Sequence, residues 1–217
     1  IPPIAATVAG FEPLIAPKLL DEVQGQIIAG HLVADGTAPA GPGYLQWLSE
    51  TVGLPTTPSL YPIVDIADDG VDDGDDVPTH PDFYEAGDIN GPDRLAYNVN
   101  WTTDPSADGA GGHGTINAAI AGGYNAGVGA QYEDAEGYNY GLGINPFGRV
   151  AGSKIFGNVT GWAFPDYTEL VGVSYALGAR IVSNSWGDDT LAGQYLVDDQ
   201  TYDALVRDAD AMAPGNQ

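Results

Sequence analysis

Three apolar blocks set the frame for this chain: LYPIVDIA (60–67), RVAGSKIF (149–156) and ARIVSNSWG (179–187). Each is short, rich in branched residues and bounded by turn-forming residues, the pattern of a core strand. LAYNVNW (95–101) alternates apolar and polar residues like a fourth strand. Helical patterns follow these blocks: a small-residue helix within DGAGGHGTINAAIAGG (108–123), then YTELVGVSYALGA (167–179), then DDQTYDALVRDADA (198–211). Strands alternating with helices imply parallel strands joined by right-handed crossovers. The expected fold is therefore α/β, a mainly parallel sheet flanked by helices. In such sheets functional groups gather at the carboxyl ends of the strands. Asp68 follows the first block there, and Ser185–Gly187 close the third.

The first 55 residues read differently. They are punctuated by Pro and Gly, with a short helical candidate in PKLLDEVQGQIIAGHL (17–32) and a second in GYLQWLSETVG (43–53) that stops on Gly53. This organisation divides the chain into an N-terminal arm, 1–55, and a core portion, 56–217. An acidic loop (72–76) and a Gly- and Tyr-rich excursion (123–148) interrupt the core.

Composition narrows the function. Thirty Asp and Glu against six Lys and Arg give a formal charge of −24. Such a surface repels nucleic acid and anionic membranes, so neither is an expected partner. It suits life outside the cell, in salt, at low pH or around bound cations; simple solubility is the plainer explanation. Cysteine is absent, which removes disulfides, thiolate metal sites and a catalytic Cys. No apolar run reaches the roughly 18 residues of a membrane span.

The chain has three histidines. His31, in the apolar run IIAGHLVA, reads as a partly buried core residue, and His80, before Pro81, as a structural loop residue. His113 lies between two glycines and Gly114-Thr115, at the mouth of a helix, where a substrate could approach closely. A His so presented is a candidate general base; an exposed loop His is the alternative. Such a base needs a carboxylate to hold its tautomer. Asp68, at the end of a buried strand, is the candidate, the alternative being a turn residue of the D-D-G sequence. Ser174, in GVSYA, approaches a nucleophile-elbow pattern but lies within a helical stretch rather than after a strand.

Taken together, four segments in order resemble the subtilase family of serine peptidases. IVDIADDGV followed by THPDF resembles its Asp segment, GGHGTINAAIAGG its His segment, GINPFGRVAGSKIF its G-x-x-P turn and strand, and ARIVSNSWG its substrate-edge strand. The resemblance covers about residues 60–190 and implies a subtilisin-like sheet, incomplete in this chain. It implies that Asp68 orients His113 and that His113 deprotonates the nucleophile. It further implies that Ser185, Trp186 and Gly187 form the strand edge that pairs with a protein or peptide substrate, and that Asp82 is a ligand of structural Ca²⁺. It also implies an extracellular, secreted enzyme. One departure stands beside the catalytic Asp: the family places Ser or Thr there, and this chain has Asp69. The family's G-T-S-x-A nucleophile motif does not occur, and Asn216, in APGNQ, follows a charged helical pattern rather than the apolar strand of the family's oxyanion Asn. The expectation is a fragment, inactive alone, whose Ser is carried by the C-terminal remainder of the same gene product. The competing expectation is an inactive binding or structural module, with calcium held by the acidic loop.

Overall fold

The computed structural model describes residues 22–187 and 193–210. The PKLL start of the first helical candidate and Asn216 lie outside them. The four expected strands form one parallel sheet: β1 (Ile63–Asp68), β2 (Leu95–Asn100), β3 (Arg149–Lys154) and β6 (Ala179–Ser183), in the order β2-β3-β1-β6. A two-stranded antiparallel ribbon, β4 (Phe156–Gly157) with β5 (Gly161–Trp162), follows β3.

β1 and β3 lie in the middle and are covered on both faces, which is why their sequences run apolar without alternation. On one face Ile66, Leu95 and Val150 pack with Val71, Phe83 and Ala118 of α3 (His113–Gly122). Burying a side chain such as Ile66 contributes about 1.5–3 kcal/mol. The small residues of α3 let it lie directly on the sheet: a Cβ on Gly122 would come 2.8 Å from Val150 Cγ1. On the other face Ala67 and Ile155 meet Leu170 of α4 (Tyr167–Ala176). Asp166 caps α4 by accepting from Thr168 N (2.8 Å) and Glu169 N (3.1 Å), satisfying two amides that have no helical partner. A last helix, α5 (Val197–Leu205), packs beside α4 through Tyr167 and Tyr202.

Two expectations change. The strand expected to run through ARIVSNSWG ends at Ser183, whose pairing with Ile66 is the last rung to β1; residues 184–187 leave the sheet. The helix expected over 43–53 is a turn of α-helix, α2 (Tyr44–Gln46), running into a π-helical turn, Trp47–Thr51. There Tyr44 and Leu48 are sunk into a small core with Leu142 and Phe147, and Trp47 stacks on His31 at 4.3 Å.

The arm's helix α1 (Glu22–Ala29) joins the excursion. The buried carboxylate of Glu22 accepts from Gly43 N (2.7 Å), Tyr44 N (2.7 Å) and Asn139 N (3.1 Å). Among the described residues no helix is long and apolar enough to cross a membrane.

Candidate active site

Parallel strands bring the carboxyl ends of β1, β3 and β6 to one edge, and the polar residues converge there. Asp68 ends β1 with only 2% of its surface exposed. His113 opens α3, and its Nδ1 lies 2.8 Å from Asp68 Oδ1 and 2.9 Å from Oδ2. Asn117, one turn further on, donates Nδ2–H to Oδ2 at 3.0 Å, and Asp69 N donates to Oδ1 at 2.7 Å. A carboxylate can only accept, so Nδ1 carries the proton and Nε2 is the basic nitrogen. The side chain of His113 is 59% exposed, so the ring is reachable from outside. The hydrogen bond that His113 donates to Asp68, together with the negative charge of Asp68, raises the imidazole pKa above the ordinary value, and Asp69 adds to this.

Gly114 is needed for the pair to meet. A Cβ there would collide with the Gly70 carbonyl and lie 3.0 Å from Asp68 Cβ. The Thr of the same H-G-T run ties the helix to the acidic loop, since Thr115 Oγ1 accepts from Asp72 N at 2.9 Å. Asp72 also accepts from Thr79 and His80, so its oxygens are occupied by protein donors.

Asp82 lies near the other, C-terminal end of α3, where its carbonyl accepts from Tyr124 N at 2.9 Å. Its carboxyl is largely buried, and burial pushes its pKa up to about 6. His80 Nδ1, at 3.7 Å, is a distant partner for it, and His80 otherwise accepts from Asp82 N, a structural role in its turn. Among the described residues no group of three or more His, Asp or Glu side chains could hold a metal. A cation at Asp82 would therefore draw its other ligands from backbone and amide oxygens, which calcium accepts.

Ser185 and Gly187 are exposed beyond β6, and Trp186 is half-buried against Trp162, with ring centroids 4.8 Å apart. Because β6 is parallel to β1, this segment leaves the sheet at the same end as Asp68. The outer edge of β6 has no partner strand among the described residues. Ile181 on it is exposed, and an apolar groove of 310 Å³ runs alongside, lined by Val171, Val182, Tyr202 and Leu205.

Sequence reasoning passed over two buried groups. Lys154, the register partner of Asp68 on β3, is wholly buried. Its Nζ reaches Asp104 (3.0 Å), Asp108 (2.9 Å), the Asp108 carbonyl (2.8 Å) and Asn158 (3.1 Å), and so ties down the loop before His113. A lone Lys inside an apolar block was the available signal, because a buried ammonium requires partners. Asp65, in mid-β1, is fully buried and accepts from Ser153 Oγ (2.9 Å) and Ser174 Oγ (2.6 Å). Ser174 is thus a core partner of Asp65 inside α4.

Residues 61–215 match the model of the subtilase family, peptidase S8. The chain belongs to the subtilase family. Subtilases are serine peptidases, and that general class is the chain's. A search of curated proteins finds no match.

Proposed function

We propose that Asp68 and His113 are two members of an Asp–His–Ser triad in a secreted endopeptidase that cleaves protein or peptide substrates by acyl transfer. The observation that carries this reading is the 2.8 Å contact between His113 Nδ1 and the buried Asp68 carboxylate, with the ring itself exposed. In this reading His113 Nε2 takes the proton of a Ser hydroxyl as its oxygen attacks the scissile carbonyl. His113 then gives that proton to the leaving amine, and water repeats the sequence on the acyl-enzyme. Asp68 stays ionised throughout, holding the tautomer and stabilising the imidazolium.

No serine hydroxyl among the described residues hydrogen-bonds His113, and no G-T-S motif occurs in the 217 residues. The nucleophile in this reading comes from the C-terminal remainder of the same gene product. The outer edge of β6, which has no partner strand among the described residues, and the apolar groove beside it support the docking of such a strand. Ser185, Trp186 and Gly187 supply backbone and a wall for the bound peptide, and the 217 residues alone are inactive. Calcium is the cofactor of this reading, structural, with Asp82 as one ligand.

The test is a serine-directed fluorophosphonate applied to the complete gene product and to the 217-residue chain. Labelling of the former alone, lost in His113→Ala, is the expected result. A complete product that is neither labelled nor hydrolytic would turn the reading toward an inactive binding module. For calcium, chelation should lower the melting temperature of the complete product, and Asp82→Asn should abolish that response. A melting temperature indifferent to chelator removes Asp82 from the role.

A further inference from the structure

Asp69 does more than follow Asp68. Its two carboxylate oxygens accept from the first amides of α3, Oδ1 from Gly114 N at 2.6 Å and Oδ2 from His113 N at 3.3 Å. Those amides have no partner within the helix, so a side chain from just past the end of β1 supplies what a local cap would. The residue before the helix, Gly112, has no side chain to do it and sits at φ 78°. Space for the carboxylate is provided by Gly111: a Cβ at that position would collide with Asp69 Oδ2. A Cβ at Gly114 would lie 3.0 Å from Oδ1. An acidic residue at 69 and glycines at 111 and 114 are thus one steric unit.

We infer that Asp69 is a positioning residue for His113: it pins the first turn of α3 to the end of β1 and sets a second negative charge beside the imidazole. The inference rests on His113 acting as the base. A Ser or Thr hydroxyl, the family's usual choice at this position, offers one neutral oxygen. Asp69 offers two, with a charge, and a charge-assisted bond is the stronger one. The charged groups that act on the His113 ring are Asp68 and Asp69, both from the end of β1, and both favour the imidazolium. The positive end of α3 acts in the opposite sense. The consequence is a base that is free only at higher pH than the Asp68 contact alone would set.

The experiment follows the His113 imidazole by NMR titration in the complete gene product, assigned by its loss in His113→Gln, alongside the pH profile of kcat/KM on a peptide substrate. Asp69→Asn keeps an acceptor oxygen and removes the charge. It should lower the His113 midpoint by roughly half a pH unit, the size expected of one screened charge, and move the acidic limb of kcat/KM by the same amount. Asp68→Asn should lower the midpoint further. Gly111→Ala leaves every charge in place but displaces the Asp69 carboxylate. It should speed hydrogen exchange at the His113 and Gly114 amides, and it serves if Asp69→Asn does not fold. An unmoved midpoint in folded Asp69→Asn, or unchanged exchange in Gly111→Ala, overturns the inference. A midpoint that moves in an enzyme without hydrolytic activity keeps Asp69's role and removes the peptidase reading.

Discussion

Two carboxylates on one strand, three residues apart, show what surroundings do to the same group. Asp65 and Asp68 both belong to β1 and are 0% and 2% exposed. Asp65 sits mid-strand on the face covered by α4 and accepts from the hydroxyls of Ser153 and Ser174. Burial therefore raises its pKa, the hydrogen bonds offsetting this only in part. Asp68 sits at the strand's end, where a helix start brings His113 and Asn117 to it and the next residue's amide adds a third donor. The first carboxyl is sealed in the core; the second is joined through His113 to the outside. Depth is nearly equal, so the difference lies in the partner and in whether that partner leads to solvent.

The comparison breaks most visibly at the catalytic end. In the complete gene product, His113→Ala or Asp68→Ala should lower kcat by several powers of ten. Asp65→Asn should leave kcat within a few-fold. Equal losses of kcat from Asp65→Asn and Asp68→Ala would end the distinction between the two carboxylates.

Removing a buried charge partner comes next. Lys154→Met leaves Asp104 and Asp108 facing each other without their cation and should destabilise the fold by about 3 kcal/mol, read from denaturant midpoints. Its effect on His113 should come only through the loop it holds, so a kcat loss without a stability loss would show a direct role for Lys154.

Asp65→Ala should cost about 2 kcal/mol, since it strands the buried Ser153 hydroxyl and opens a void. Asp65→Asn, of the same shape, should do the reverse in a pH-dependent way. A carboxyl whose folded pKa is raised contributes stability that is complete below its unfolded value, about 3.9, and is lost as pH rises through the folded one. Asn has nothing to lose, so Asp65→Asn should be the more stable form at pH 7, and the less pH-sensitive as pH rises above the unfolded value. Parallel melting curves for the two proteins across that range would show that Asp65 is not the titrating group.

The smallest effect concerns the His113 pair. A raised His pKa contributes stability that is full below its unfolded value, about 6.5, and fades as pH climbs through the folded one. With the ring largely exposed, the melting temperature should decline only slightly over that interval, and Asp68→Asn should remove the decline.

Much of this arrangement was legible beforehand. LYPIVDIA, LAYNVNW and RVAGSKIF each contain the strand their patterns announce, although β1 starts only at Ile63 and β3 stops at Lys154, and the helix of GGHGTINAAIAGG begins at His113 itself. The end of β6 was not legible: its pairing stops at Ser183, opposite Ile66, although β1 itself runs on to Asp68, and residues 184–187 turn away to set Trp186 against Trp162. Nor was the π-helical turn at Trp47–Thr51, whose apolar residues fit helical spacing and whose geometry follows from packing on His31 and Leu142.

What the sequence determined by itself was local or periodic: the parallel α/β frame, set by apolar blocks alternating with helical stretches, and the ordered Asp and His segments of a subtilase. What the tertiary structure decided was which buried charge meets which partner. Asp65 finds Ser174 across 109 residues, Lys154 finds Asp108 across 46, and Asp69 reaches Gly114 across 45. None of these pairs leaves a trace in local pattern, because a buried polar group is satisfied by whatever the fold brings within about 3 Å, however far along the chain it lies.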